Sequence, residues 1–142
     1  MAMEREAMLA ALMTRLTGDA TLAGLATGGV HLVRAPQGTA LPYVVVRIFP
    51  GRIVETLGSA RAGRYIRVSI TGVAAGAGST TAAAIDERID TLLRDHALSV
   101  ASPYTASPAR RKLDLDDPVI DDGVEIDQVG GMYEIFVSGG AA

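Results

Sequence analysis

The sequence predicts an α+β fold, an antiparallel sheet of four to five strands with two main helices packed on one face. Three observations lead there. Residues 41–50, LPYVVVRIFP, form a β-branched and aromatic run too short and stiff for an ordinary helix, and they read as the central strand. Two stretches, 3–17 and 80–96, carry apolar residues at helical spacing. Residues 65–71, YIRVSIT, and 130–137, GGMYEIFV, have strand character and are available to pair with the first run. A chain of 142 residues fits one domain, 1–142, and its 49% hydrophobic but only 4% aromatic content implies an aliphatic, closely spaced core.

In the first helix Met8, Leu9, Leu12, Met13 and Leu16 form the apolar stripe. Gly18 stops it, and Asp19 is placed to cap a short turn carrying Leu22 and Leu25 before Gly28 and Gly29 break it. Residues 30–34 read as a short strand, followed by the turn Ala35-Pro36-Gln37-Gly38. In the next strand Val44, Val46 and Ile48 share one face, and Tyr43, Val45, Arg47 and Phe49 the other. Residues 52–57 extend toward a loop tip at 58–63, and residues 65–71 return as a strand, giving a hairpin or meander. Residues 72–78 read as a flexible connection, and Ser79 or Thr80 as the N-cap of a helix to about His96. Its stripe is Ala82, Ile85, Ile89, Leu92 and Leu93, with Asp86, Glu87, Arg88, Asp90, Arg94 and Asp95 outward. A short strand is expected at 98–101. With Pro103, Pro108 and Pro118 and charges of both signs, residues 102–129 read as an irregular loop. Strand character returns at 130–137, and Gly63 and Gly131 both read as strand starts.

Composition excludes several classes. Cysteine is absent, which removes disulfides and thiolate chemistry. No apolar run approaches the ~20 residues that span a bilayer, and the N-terminus lacks a signal-peptide core, so a soluble, membrane-free chain is expected. A net charge of −3 argues against a surface dedicated to phosphate backbones. Residues 72–81, GVAAGAGSTT, form a glycine-rich turn but lack the lysine of a phosphate loop, so a linker with an N-cap is the plainer reading. Asp114, Asp116, Asp117, Asp121 and Asp122 have poor calcium spacing, interrupted by Pro118, and read as a solvated acidic loop. His31 and His96 belong to no catalytic or metal pattern. No cofactor, metal site or catalytic residue is expected, and Arg110, Arg111 and Lys112 suit an acidic protein surface.

The order of these pieces resembles the tail completion, or tail terminator, family of long-tailed bacteriophages and phage-like particles. The carriers are the N-terminal helix with Gly18-Asp19 and the turn through Leu22 and Leu25, the passage from Ala35-Pro36-Gln37-Gly38 into Leu41-Pro42-Tyr43-Val44-Val45-Val46, the strand at 65–70, the helix at 80–93 and the late Gly130-Gly131-Met132-Tyr133 strand. The resemblance implies a non-enzymatic virion protein, assembled in the host cytoplasm, forming a homohexameric ring on the last ring of the tail tube. Such a ring ends tube growth and receives the head-closure protein, while DNA passes through its lumen without specific binding. Arg52, Glu55, Arg61 and Arg64 in one segment, and Arg110, Arg111, Lys112, Asp114, Asp116 and Asp117 in another, are the expected subunit or partner contacts. Another neck or head-closure protein, or a small phosphate-binding enzyme, remains the alternative.

Overall fold

The computed structural model describes residues 4–49, 53–55, 61–76, 80–94, 97–100, 104–121 and 123–139. The elements run α1 (Glu4–Thr17), α2 (Ala20–Leu25), β1 (Val30–Leu32), β2 (Tyr43–Phe49), β3 (Ile53–Glu55), β4 (Arg61–Ala75), α3 (Thr80–Leu93), β5 (Tyr104–Ala106), β6 (Arg110–Asp121) and β7 (Val124–Gly139). The sheet has the order β1-β2-β4-β7-β5, with β3 also on β4 and β6 also on β7. Because β2 and β3 pair with successive parts of β4, and β6 and β5 with successive parts of β7, seven strands make a sheet five positions wide.

The sheet is mixed, which corrects the antiparallel expectation. Val30, His31 and Leu32 run parallel to Val44, Val45 and Val46. Parallel neighbours need the chain to return to its starting end, and residues 33–42 accomplish this along the edge. Val33 sits at φ +69 with the Arg34 amide on the Leu32 carbonyl at 2.8 Å, a γ-turn, and a second turn follows with Gly38 at φ +86. The Gly28 amide then meets the Pro42 carbonyl at 2.8 Å, and the Val44 amide the Gly29 carbonyl at 2.9 Å.

Nor is 41–50 the central strand. That place belongs to β4, paired with β7 without interruption from Gly63↔Ser138 to Ala75↔Ile126. Residues 61–63, expected in a loop tip, and 72–75, expected in a connection, are strand, because pairing to β7 overrides the weak strand preference of Gly and Ala. Gly63 and Gly131 consequently lie inside strands instead of opening them. The α3 helix stops at Leu93, Leu98, Ser99 and Val100 form no strand, and Ala97 instead bridges Pro108. Ser79, His96 and Ala101 lie outside the described residues.

Val44, Val46, Ile66, Val68, Ile70, Tyr133, Ile135 and Val137 join Met8, Leu12 and Leu16 of α1 and Ile85, Ile89 and Leu93 of α3 in one apolar cluster. Period-2 positions of the strands thus meet helical i, i+4 stripes. Asp19 caps α2 by accepting the Leu22 amide at 2.8 Å and also takes a two-point contact from Arg88 at 2.9 and 2.7 Å, fixing the α1–α2 corner against α3. Arg15 donates to the Ala97 carbonyl at 2.8 Å just past α3. Arg88, like Asp86 and Asp90 below, is therefore engaged within the chain instead of standing free on an outward face.

Helix and sheet approach closely at Gly72, where an added Cβ would lie 2.7 Å from Ile85 Cγ2. Gly72→Val is expected to cost about 1–3 kcal/mol, read as a lower urea midpoint with unchanged slope.

Candidate assembly interface

Residues 102–129 are not an irregular loop. They contain β5, β6 and the start of β7, and residues 110–121 and 124–134 form a long hairpin. The pattern is hidden by one residue. Arg110 and Arg111 pair with Glu134 and Tyr133, but Leu113 pairs with Met132, so Lys112 forms a bulge and reverses the alternation. Beyond it Leu113, Leu115, Asp117 and Val119 share one face, and Asp114, Asp116 and Pro118 the other. Pro118 is compatible with strand here because β6 exposes an edge.

The bulge decides what Arg111 does. In an even strand residues three apart face opposite ways, but here Arg111 and Asp114 face α3 together, and Arg111 Nε donates to Asp114 at 2.7 Å. The other guanidinium nitrogens take both Asp86 oxygens at 2.8 and 3.0 Å, the Tyr133 hydroxyl at 3.1 Å and the Gly130 carbonyl at 2.9 Å. Tyr133 donates onward to Asp90 at 3.1 Å. Gly131 makes the crossing possible, since a Cβ there would lie 2.7 Å from the Arg111 guanidinium carbon. The Asp86 carboxylate, foremost, holds Arg111 above its already high range, and burial pushes the Tyr133 hydroxyl up. Arg111, expected as a partner contact, is a tie between β6, β7 and α3.

Its neighbours differ. Arg110 and Lys112 are exposed on β6, as are Asp114, Asp116 and Asp117. Asp116 hydrogen-bonds Asp127, which is buried, and that bond raises Asp116 from the usual carboxylate range. Asp114 and Asp116 face away from Asp117, and among the described residues no group of three or more His, Asp or Glu is arranged to hold a metal ion. In the other expected segment Glu55 and Arg61 are backbone partners across β3 and β4, while Arg52 lies outside the described residues. Arg64 is half-buried, its Nε without a hydrogen-bond partner among the described residues. The described parts of the two segments lie on different strands, β3 and β4 for one and β6 for the other. Of the glycine-rich turn, 72–75 belong to β4, and Ala77, Gly78 and Ser79 lie outside the described residues.

The sheet face away from α3 carries a groove of about 350 Å³ lined by Tyr43, Val45 and Phe49 of β2, Leu115 of β6 and Met132 of β7, with charges of both signs in its wall, Arg34, Arg47 and Asp117. Strands β2 and β6 are separated by two others, so a shared groove requires the sheet to curl toward this face. Arg47 Nε donates to the Val33 carbonyl at 3.0 Å, holding the γ-turn in place. The groove was not anticipated from the sequence, although the alternation of Tyr43, Val45, Arg47 and Phe49 against Val44 and Val46 pointed to a second, incompletely covered face. His31 is a strand side chain, its Nε2 2.8 Å from the Gly28 carbonyl oxygen. Among the described residues no helix is long and apolar enough to cross a membrane.

A family model described as tail completion protein gp17 matches residues 10–118. In solved structures the fold is similar to a chain from the virion of a native gene transfer agent particle, with a TM-score of 0.73 and 20% identity over 95% of this chain and 97% of that one. A second solved chain superposes with a TM-score of 0.62 and 14% identity, over 99% of this chain and 100% of the other. No curated protein matches.

Arg111→Ala should cost about 2–4 kcal/mol, because it strands the partly buried Asp86 and the Gly130 carbonyl, whereas Arg110→Ala and Lys112→Ala should stay within about 0.5 kcal/mol; chemical denaturation measures all three. Acid has opposite effects at two carboxylates. Arg88, foremost, depresses Asp19, so its contribution is full above the ordinary carboxylate range and is lost as pH falls through the depressed value. Asp116 is raised, so its contribution is full below that range and is lost as pH rises through the raised value. Asp127→Asn should therefore gain stability relative to the parent chain as pH rises from acid to neutral, measured by melting temperature against pH.

Proposed function

The chain belongs to the tail completion protein gp17 family, structural proteins of the virion tail, and on that premise we propose that it closes the head-proximal end of a phage or phage-like tail tube. Six copies form a ring on the last ring of tube protein, stop its polymerisation and offer the docking surface for the head-closure protein. The whole chain, 1–142, acts as one domain in this role, without catalysis. The family match over residues 10–118 carries the reading, since it runs from α1 into β6. The fold likeness to a gene transfer agent virion chain supports it.

The physical requirements of the role agree with the molecule. A ring closes through heterologous contacts, in which one patch meets a different patch of the next copy, and among the described residues β6 offers an unpaired edge over much of its length. A net charge of −3 disfavours adhesion to DNA moving through a lumen.

Disrupting the gene should give tails of uncontrolled length beside filled, unjoined heads, scored by negative-stain microscopy; joined particles with tails of normal length would contradict the reading. Arg110→Ala combined with Lys112→Ala should lower the yield of joined particles at an unchanged melting temperature, a cleaner test of the basic cluster than any variant that removes Arg111.

A further inference from the structure

The strand registers lay a basic band across one end of the sheet face that points away from α3. Phe49, Arg67, Glu134 and Arg110 are successive cross-strand partners on β2, β4, β7 and β6, and Arg47, Ser69, Met132 and Leu113 form the next row. Cross-strand partners project to the same face. Arg34 joins Arg47 in the groove wall, so Arg34, Arg47, Arg67 and Arg110, all exposed, share this end of the face. The acid among them, Glu134, is already held by Arg67 at 3.4 Å. Asp117 lies two rows beyond Arg47, in line with Tyr43, Val73 and Gln128, about 13 Å further along the strands. Among the described residues neither the Arg34 nor the Arg110 side chain has a hydrogen-bond or ion-pair partner, and Arg47 commits its Nε to the Val33 carbonyl. Aromatic rings are interleaved with these charges. Phe49 is 38% exposed in the row of Arg67 and Arg110, and one row further out Tyr65 and Phe136 lie against each other at 4.8 Å.

We propose that this end of the sheet face contacts the phosphate backbone of nucleic acid without reading its sequence. Arginines on β2, β4 and β6 span three strand spacings, about 14 Å, so they are set out to meet successive phosphates of a linear polyanion. A ring exposed beside them suits bases and sugars better than the aliphatic carboxylates of an acidic peptide, and rings among cations on an open face hold nucleic acid with little sequence preference. The net charge of −3 belongs to the whole chain, whereas the band sets four cations against one paired acid. A contact of so few charges on an acidic chain is weak and sensitive to salt, which leaves DNA free to move past it. The contact goes beyond the capping role proposed above and belongs to each subunit, whether or not a ring forms.

The test titrates the full chain into fluorescently labelled duplex and single-stranded oligonucleotides of two unrelated sequences, read by anisotropy from about 50 mM salt upward. Both sequences should bind alike, and for duplex the log–log salt slope should be about −3. Arg34→Ala and Arg110→Ala should each make that slope shallower by about 1, and Arg34→Glu with Arg110→Glu should abolish binding at an unchanged melting temperature. Arg5→Ala removes the same charge from α1 in the helical layer and should leave the slope as it is. An equal effect of Arg5→Ala would mean that net charge carries the binding, and overturns the assignment to this face. The same titration on isolated tails bearing the parent or the doubly substituted chain covers the assembled form. No arginine-dependent binding to either the free chain or the tails overturns the proposal. Polyglutamate that displaces duplex at equal charge concentration would give the face to an acidic protein, and overturns it as well. Tail length and head joining are scored separately, so nucleic-acid binding by a chain that never caps tails upholds this contact and overturns the capping role alone.

Discussion

The Arg111 guanidinium is the constraint on which the far half of the molecule depends. It joins β6, β7 and α3 through Asp86, Asp114, Tyr133 and the Gly130 carbonyl. With side-chain exposures of 23% for Arg111 and 16% for Asp86, desolvation offsets much of the ionic attraction, and an apolar replacement of similar shape could serve stability as well. Its distinctive effect is on geometry. Satisfying all five guanidinium hydrogens requires the bulge at Lys112, the open face at Gly131 and the Tyr133–Asp90 bond together. Those requirements set the register of a hairpin whose outer strand, among the described residues, has no second neighbour over much of its length.

An exposed strand edge of this kind attracts other chains. The hairpin answers with Asp114, Asp116 and Asp117, and with Pro118, which removes a donor from the edge. Like charge along residues 113–121 disfavours pairing of one such edge with another, while Arg110 and Lys112 stand exposed at the start of the same strand.

Much of the fold was legible from local patterns. The stripes of α1 and α3, the cap at Asp19 and the alternation of Val44, Val46, Ile66, Val68 and Ile70 were readable because helical and strand periods are properties of adjacent residues. Three features were not. Parallel pairing of β1 with β2 depends on how residues 33–42 travel, which Val33 in a left-handed conformation makes unpredictable from residue preference. The centrality of β4 depends on its partner β7, which lies far along the chain on the other side of α3. The hairpin at 110–134 was not legible because a bulge reverses its period and its prolines resemble loop punctuation. For the interface, Arg110, Lys112, Asp114, Asp116 and Asp117 were found as charges on a surface, but Arg111 looked the same as its neighbours. Only the tertiary position of Asp86, on a helix 25 residues earlier, separates it from them.

Position on the particle tests the central claim most directly. Immunogold labelling with antibody to this chain, scored on intact virions and on detached tails, should place gold at the head-proximal end of both. Gold that stays with heads when tails detach, or chain found only free in the lysate, would contradict the tail-capping account.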